Sequence, residues 1–168
     1  MRIGIGFDVH RFAAGRTLVL GGVEIPFGLG LAGHSDADVV CHAVIDAIFG
    51  AVAAGDIGSH FPDTDPQYKG ISSLALLGEA MLVLAAANYA IGNIDIVILA
   101  EEPKLTGWRE AMRGKLAETL GISVDRVSVK ATTTEGLGFT GRGEGIAAQA
   151  VVLVEKQKTE NREAENRK

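Results

Sequence analysis

Asp8, His10 and His42 are the residues whose types and spacing most clearly suggest chemistry. Asp8 and His10 are two residues apart, so on a β-strand both side chains point to the same face. Two imidazoles and one carboxylate form a three-ligand set that leaves a fourth position open for water or substrate, as in catalytic zinc sites. The same set would serve a non-heme iron oxygenase, although the helical pattern described below does not suit the all-β barrels common among such enzymes. An isolated Asp-x-His pair is a weak signal, so the assignment also depends on His42.

His42 lies in a segment that predicts a helix from Ser35 to about Ala54, with Asp38 completing a loose capping box. Asp38 and Asp46 flank His42 at spacings of four and therefore share one stripe of the helix with it. This arrangement suggests a metal ligand supported by two carboxylates. Taken alone, His42 could equally be a core histidine that is hydrogen-bonded to one of these aspartates.

The second region rich in functional side chains runs from residue 130 to residue 145. The hydroxyls of residues 132–134, backbone amides freed by glycines, and Arg142 could together hold phosphate oxygens. Glu135 could bind a second hard cation, because Mg²⁺ takes one or two carboxylates plus phosphate oxygens. A glycine-rich turn between two strands would have a similar composition.

The remaining pattern predicts the elements that must position these residues. Strands are expected at residues 2–7, 93–100, 127–132 and 145–154, a hairpin at 17–20 and 23–25, helices at 35–54, 72–88 and 106–120, and loops at 28–33 and 55–70. Because strands and helices alternate only partly, we predict an α+β fold: a mixed β-sheet with helices packed on one face plus a small β-hairpin. Residues 1–154 are expected to form a single domain, and residues 155–168 a disordered charged tail.

Composition limits the location and the partners of the protein. Hydrophobic residues make up 47% of the 168 residues, so some apolar surface is expected to be buried between subunits. The net charge of −5 without a basic block argues against nucleic acid as a partner. The longest apolar stretch, 71–87, is short for a membrane span, and the single cysteine, Cys41, suits a reducing compartment. We therefore expect a cytoplasmic protein that binds neither nucleic acid nor membrane.

Four motifs resemble the 2-C-methyl-D-erythritol 2,4-cyclodiphosphate synthase family. They are Phe-Asp-Val-His-Arg-Phe at 7–12, Gly-His-Ser-Asp-Ala-Asp-Val at 33–39, Asp-Ile-Gly with His-Phe-Pro-Asp-Thr-Asp at 56–65, and Thr-Thr-Thr-Glu with Gly-Phe-Thr-Gly-Arg-Gly-Glu-Gly at 132–145. The resemblance extends from about residue 2 to residue 154, with the motifs in the same order and at similar spacing. Four motifs in register make a chance match improbable.

The resemblance implies a homotrimer of α+β subunits with each active site between neighbouring subunits. It implies that 4-diphosphocytidyl-2-C-methyl-D-erythritol 2-phosphate is closed into 2-C-methyl-D-erythritol 2,4-cyclodiphosphate with release of CMP, a step of non-mevalonate isoprenoid synthesis. By similarity, Zn²⁺ would be held by Asp8, His10 and His42, and Mg²⁺ or Mn²⁺ by Glu135. The reaction would need no covalent nucleophile, because charge neutralisation and proximity account for it.

The resemblance also implies roles for individual residues. His34 and Thr133 would be catalytic, holding phosphate oxygens during transfer. The residues implied in substrate binding are Ser35, Asp56, Ile57, Gly58, Phe61, Asp63, Asp65, Ala100, Lys104, Leu105, Thr106, Thr132, Thr134, Phe139 and Arg142.

Three positions depart from the family pattern. Ile-Ser-Ser at 71–73 replaces a frequent Ala-Asp-Ser, Gly136 replaces a frequent lysine, and Gln149 replaces a frequent glutamate near the trimer axis. The last change casts doubt on a charge pairing with Arg142. Two other functions remain open from the sequence: a zinc phosphohydrolase, which would release a linear phosphate, and a non-catalytic module that binds isoprenoid diphosphates.

Overall fold

The fold is a five-stranded mixed sheet with three long helices on one face, in a computed structural model that describes residues 1–157. The strands are β1 (Arg2–Ala13), β2 (Leu18–Leu20), β3 (Val23–Ile25), β4 (Gly30–Leu31), β5 (Tyr89–Leu99), β6 (Val127–Thr132) and β7 (Gly145–Lys156). The helices are α1 (Val39–Val52), α2 (Ile57–His60), α3 (Ser73–Ala86), α4 (Arg109–Leu120) and α5 (Gly138–Gly141), and 3₁₀ turns lie at Pro66–Tyr68 and Val124–Arg126.

The sheet has the strand order β4-β1-β7-β5-β6. Only β5 and β6 are parallel; the other neighbours in this sheet are antiparallel. Strands β2 and β3 form the separate hairpin predicted around Gly21 and Gly22. The predicted α+β architecture with a mixed sheet and a small hairpin is therefore confirmed.

Helix α1 lies unusually close to β1 because two glycines of the strand face it. A Cβ atom on Gly4 would lie 1.8 Å from the carbonyl oxygen of Ala47, and one on Gly6 would lie 2.0 Å from that of Ala43. Both distances are shorter than any van der Waals contact, so neither position can carry a side chain without moving the helix. The next residues on the same face of β1 are Asp8 and His10. The close approach therefore brings α1 within reach of both.

The opposite face of β1 is apolar and exposed. Ile3, Ile5, Phe7 and Val9 are between 42% and 69% exposed. Val151 on the neighbouring β7 extends the same patch, at 39% exposure. In the described part of this single chain, the helices cover only the other face. Such a contiguous apolar patch is typical of a surface that contacts another protein.

The start of α1 differs from the prediction. The helix begins at Val39 and its N-cap is Asp38, not Ser35. The Asp38 carboxylate accepts hydrogen bonds from the backbone N–H groups of Val40 and Cys41 and also from those of Gly21 and Gly22. Because the Asp38 side chain caps the helix and also binds the hairpin backbone, it fixes the start of α1 more strongly than the loose capping box predicted from spacing would.

The other predicted strands and helices agree with the structure except at their ends, whereas the predicted loop at 28–33 contains β4 and the short helix α5 was not predicted. Strand β1 continues from the predicted end at residue 7 to Ala13, and the predicted 55–70 loop contains α2 and a 3₁₀ turn. Gly121 ends α4 in the left-handed conformation, as expected for a helix stop. Strand β7 continues to Lys156, two residues into the predicted tail, whereas residues 158–168 lie outside the described part. None of the helices within residues 1–157 has the length and apolarity that a membrane crossing requires.

Candidate active site

Asp8, His10 and His42 converge with the geometry of a metal site. Oδ2 of Asp8 lies 3.0 Å from Nε2 of His10 and 3.0 Å from Nδ1 of His42. The two ring nitrogens are also 3.0 Å apart. An ion bound tetrahedrally at 2.0–2.1 Å needs donor atoms about 3.3 Å apart, so small movements would suffice to admit one. The donor set and its geometry therefore fit a divalent transition metal.

The electrostatics at Asp8 favour a metal ligand. Burial by itself would raise the pKa of Asp8, but hydrogen bonds and charge interactions with His10 and His42 outweigh it and hold the pKa well below its ordinary value. The carboxyl is therefore ionised at neutral pH, which is the form that binds cations.

The triad opens into a cavity of about 480 Å³. The cavity is lined by Asp8, His10, Gly33, His34, Ser35, His42, Ile57, Gly58, Phe61, Pro62, Asp63, Tyr68 and Leu76. Its polar groups converge from β1, α1 and the loops before α1 and around α2. Of the residues implied in catalysis or substrate binding, the structure brings His34, Ser35, Ile57, Gly58, Phe61 and Asp63 together with the triad.

His34 is the cavity residue best placed to bind a ligand. Its Nε2 atom is shielded from solvent and has no hydrogen-bond partner among residues 1–157. A buried polar nitrogen is costly when unpaired. His34 lines the cavity, and a ligand oxygen bound there would supply the missing partner once the ring turns toward it, as the phosphate-holding role implied by the resemblance requires.

The loop that carries His34 is fixed by Arg16, a residue that the sequence analysis missed. Its guanidinium donates to the carbonyl oxygens of Gly33 at 3.0 Å and Ser35 at 2.6 Å. Arg16 follows β1 closely in sequence and belongs to no motif, so spacing gave no signal for it. It holds the backbone on both sides of His34.

Asp46 and Asp56 hold the loop around α2 through hydrogen bonds. Asp46, on α1, accepts a hydrogen bond from the backbone N–H of Ile57 at 2.7 Å. Asp56 caps α2 by accepting from the backbone and hydroxyl of Ser59. Asp65 similarly caps the next turn through Gln67. Asp56 and Asp65 are therefore not among the cavity-lining residues, although both were expected to bind substrate.

His60, whose role the sequence left open, makes contacts within the protein that are typical of a structural role. Its ring stacks on Phe49 with centroids 4.1 Å apart, and its Nε2 lies 2.8 Å from the carbonyl oxygen of Ala54.

The remaining predicted residues gather around the ends of β5 and β6. These strands are parallel, and Leu99 is paired with Thr132, so the segments that follow them leave the sheet side by side. The segments contain Ala100, Lys104, Leu105, Thr106, Thr132, Thr133, Thr134, Glu135, Phe139 and Arg142. Ala100 and Leu105 are buried.

Glu101 joins these two segments. Its carboxylate accepts from the backbone N–H and the hydroxyl of Thr134, at 2.9 and 3.2 Å. The Thr133 hydroxyl donates to Glu135 at 2.9 Å. Arg142 is paired with Glu144 at 2.6 Å. Glu135 is an exposed single carboxylate, so a hard cation there would need further ligands from phosphate and water.

Within one chain, this second group lies apart from the triad. Asp8 is paired with Ala148, Ala148 with Ile98, and Ile98 with Ala131. Three strand spacings correspond to about 14 Å. None of the residues that follow β5 and β6 lines the triad cavity. We refer to the two groups as the metal half (the triad and its cavity) and the phosphate half (residues 100–106 and 132–142).

The predicted support of His42 by Asp38 and Asp46 is wrong, because both carboxylates bind backbone amides elsewhere. The Nε2 atom of His42 instead lies 3.0 Å from the hydroxyl of Ser73. Ser73 lies 31 residues from His42 in the sequence, which is why local spacing could not reveal it.

Comparison with known proteins places the chain among relatives along nearly its full described length. The YgbB family model matches residues 1–155. The 2-C-methyl-D-erythritol 2,4-cyclodiphosphate synthase of Alkaliphilus metalliredigens is 62% identical over 154 residues, which cover 92% of this chain and 97% of the relative.

Solved structures agree in fold. The Plasmodium falciparum IspF in its CDP complex has a TM-score of 0.82 and 34% identity, covering 94% of this chain and 97% of that one. The bifunctional IspDF from Campylobacter jejuni has a TM-score of 0.89 and 44% identity over 92% of this chain, which spans 42% of the IspDF chain.

Proposed function

The chain belongs to the YgbB family, and we propose from that premise that it closes 4-diphosphocytidyl-2-C-methyl-D-erythritol 2-phosphate into 2-C-methyl-D-erythritol 2,4-cyclodiphosphate with release of CMP. The observation that carries the proposal is the triad of donor atoms, each 3.0 Å from the others, opening into a cavity with the unpaired Nε2 of His34. The reaction would be a step of non-mevalonate isoprenoid synthesis. We place it in the cytoplasm, where the single buried thiol of Cys41 would stay reduced.

Two cations are part of the proposal. Asp8, His10 and His42 would hold zinc, and Glu135 would hold Mg²⁺ or Mn²⁺. When bound, these ions supply positive charge and Lewis acidity that offset the negative charge of the reacting phosphates.

The chain's own residues would bring two anionic groups of one substrate together. An oxygen of the 2-phosphate forms a bond to the β-phosphorus, while the bond from that phosphorus to the bridging oxygen breaks and its electron pair leaves with CMP. Nε2 of His34 and the hydroxyl of Ser35 would hold oxygens of the attacking phosphate. Thr133 would donate to the departing α-phosphate. Because the reaction is intramolecular, holding the substrate in a folded conformation supplies much of the acceleration.

A homotrimer with shared sites would unite the two halves. In one chain, none of the residues of the phosphate half lines the cavity of the metal half, so a neighbouring subunit would supply them. The apolar face of β1, with Ile3, Ile5 and Phe7 exposed, offers a surface for association. We infer that the metal half of one subunit faces the phosphate half of its neighbour.

Product analysis tests the proposed function. Zinc-loaded protein is incubated with the cytidine-diphosphate substrate and Mg²⁺ in ¹⁸O-water, and the products are followed by phosphorus NMR and mass spectrometry. CMP and a cyclic diphosphate without ¹⁸O are expected, because the attacking oxygen comes from the substrate. A linear product carrying ¹⁸O would identify a phosphohydrolase and contradict the proposal.

A further inference from the structure

The ring nitrogen of His42 that faces away from Asp8 lies in a buried cluster of hydroxyls. Its Nε2 is 3.0 Å from Oγ of Ser73 and 3.1 Å from Oγ of Ser35, and the two oxygens are 3.2 Å apart. Ser73 is fully buried and Ser35 nearly so. Their hydroxyls must therefore find partners within the protein.

Asp36 determines the direction of the Ser73 hydroxyl. One oxygen of its carboxylate accepts the hydrogen bond from Oγ of Ser73. The other accepts from the backbone N–H of Ser73 at 3.0 Å. An ionised carboxylate only accepts, and a serine hydroxyl has one proton to donate. That proton is directed to Asp36, so the Ser73 oxygen can only accept, and both Nε2 of His42 and the hydroxyl of Ser35 lie within hydrogen-bond distance of it.

We propose that Asp36 and Ser73 are positioning residues for the metal centre, which keep the proton of His42 on Nε2 and leave the lone pair of Nδ1 for the ion. On the other side of the ring, Nδ1 faces the triad and lies 3.0 Å from Oδ2 of Asp8, so it is the nitrogen that an ion held by the triad would contact. A histidine that binds a metal through one nitrogen commonly donates from the other, and its acceptor fixes the ring orientation. Here the acceptor is a hydroxyl polarised by a carboxylate.

The hydrogen-bonded series Asp36–Ser73–His42, which we call the relay, connects three parts of the fold. Asp36 lies in the loop before α1, Ser73 is the first residue of α3, and His42 lies in the first turns of α1. The backbone N–H of Asp36 also donates to the carbonyl oxygen of Ile71 at 3.0 Å. The start of α3 is thereby held against the metal half.

The first test measures zinc affinity by competition with a chromophoric chelator. Ser73→Ala removes the acceptor, and we expect zinc binding to weaken by about 10- to 100-fold. Asp36→Asn keeps the shape but loses the charge, so a smaller loss in the same direction is expected. Ser72→Ala is the matched control, since the neighbouring Ser72 makes no capping hydrogen bond through its side chain. Wild-type zinc affinity in Ser73→Ala would overturn the proposal.

The second test separates positioning from a merely structural role. In zinc-loaded protein with ¹⁵N-labelled histidine, the Nε2–H of His42 should give a hydrogen-bonded NMR signal that exchanges slowly with water. In Ser73→Ala this signal should exchange faster, while the unfolding midpoint of the metal-free protein stays close to that of wild type. A lowered midpoint with an unchanged His42 signal would assign Ser73 a structural role only.

The inference rests on the proposed metal binding, yet the two can fail separately. If the wild type makes no cyclic product but zinc affinity responds to Ser73→Ala, the proposed reaction is wrong and the relay stands. If the wild type cyclises its substrate while Ser73→Ala binds zinc normally, the relay alone is wrong.

Discussion

The metal centre depends on which ring nitrogen each histidine presents. His10, from β1, presents Nε2, whereas His42, from α1, presents Nδ1. Helix α1 is so close to β1 that the nearer nitrogen of His42 already reaches Asp8. The farther nitrogen is then free to contact α3. The side chain of His42 thus links its own helix, α1, to strand β1 and to helix α3.

Thr133 is the residue of the phosphate half whose role can be tested with the least disturbance. Thr133→Val is nearly isosteric and removes the hydroxyl that now donates to Glu135. Losing one charge-assisted hydrogen bond in the transition state should raise the activation free energy by about 1–3 kcal/mol, which lowers the rate roughly 5- to 150-fold. Zinc content should not change. The measurement is steady-state kinetics with metal analysis.

Thr119→Val is the control, because the Thr119 hydroxyl bonds only within its own helix, to the carbonyl oxygen of Lys115. A Thr133→Val enzyme with full turnover would exclude the hydroxyl from the reaction.

Strand β1 and helix α1 form the scaffold of the metal half. The strand alternates Gly4, Gly6, Asp8 and His10 toward the helix with large apolar residues away from it. The glycines allow the short distance between α1 and β1, and this distance brings His42 of α1 within reach of Asp8 and His10 of β1. A strand that packs tightly at one end and carries two residues of the candidate metal site at the other couples stability to site geometry.

Gly6→Ala tests this coupling. The new Cβ would lie 2.0 Å from the carbonyl oxygen of Ala43, so α1 must shift. We expect a loss of about 1–3 kcal/mol in the free energy of unfolding. Zinc should also bind more weakly, because His42 moves with the helix. Urea unfolding and chelator competition measure the two effects.

Gly114→Ala is the matched control, since it lies inside α4 with no atom within 4 Å of the added Cβ. There we expect a gain of about 0.5–1 kcal/mol from helix propensity. Unchanged stability and zinc affinity in Gly6→Ala would contradict the scaffold role.

Asp46 makes the stability of α1 depend on pH. Burial raises the pKa of Asp46, although its hydrogen bond with Ile57 opposes the shift. The folded protein therefore holds this proton more tightly than the unfolded chain does. The free energy of unfolding should accordingly fall as pH rises from the ordinary carboxyl pKa through the raised one.

Asp46→Asn keeps an acceptor for the backbone N–H of Ile57 and removes the decrease in the free energy of unfolding with rising pH. The difference in stability between Asp46→Asn and wild type should grow through that pH window and level off above it, as measured by urea unfolding of metal-free protein. Asp125→Asn should show the opposite slope, since a hydrogen bond from Ser123 lowers the pKa of Asp125. A pH-independent difference for Asp46→Asn would contradict the assignment.

How much of the structure the sequence could predict depends on how far apart in the sequence the interacting residues lie. Periodicity and glycines predicted the sheet, the hairpin and the long helices, because these patterns are local. The residues Asp8, His10 and His42, which the structure brings together as a candidate metal site, were predicted from residue type and spacing. The contacts of Arg16 with the 33–35 loop and of Ser73 with His42 join distant segments, so no local pattern predicted them. The helix start was misplaced because Ser35 and Asp38 are both good caps, and only the hairpin amides favour Asp38.

At the scale of the whole molecule, one chain presents two incomplete halves and an uncovered apolar face. The metal half has a cavity and an unpaired histidine nitrogen, while the phosphate half has hydroxyls and a carboxylate beyond the ends of β5 and β6, toward the other edge of the sheet. Closed rings of identical subunits place different surfaces of neighbouring chains against each other. A trimer of this kind would complete three sites and bury the apolar face of β1.

Subunit complementation tests whether each active site is shared between two neighbouring subunits. His42→Ala should inactivate the metal half and Glu135→Gln the phosphate half, so each trimer alone should turn over little substrate. When the two variants are unfolded, mixed equally and refolded, about one interface in four should pair two intact halves. If neighbouring subunits share each site, CMP release should recover to about a quarter of the wild-type rate. No recovery, in trimers shown by mass spectrometry to be mixed, would mean that each site is built within one chain.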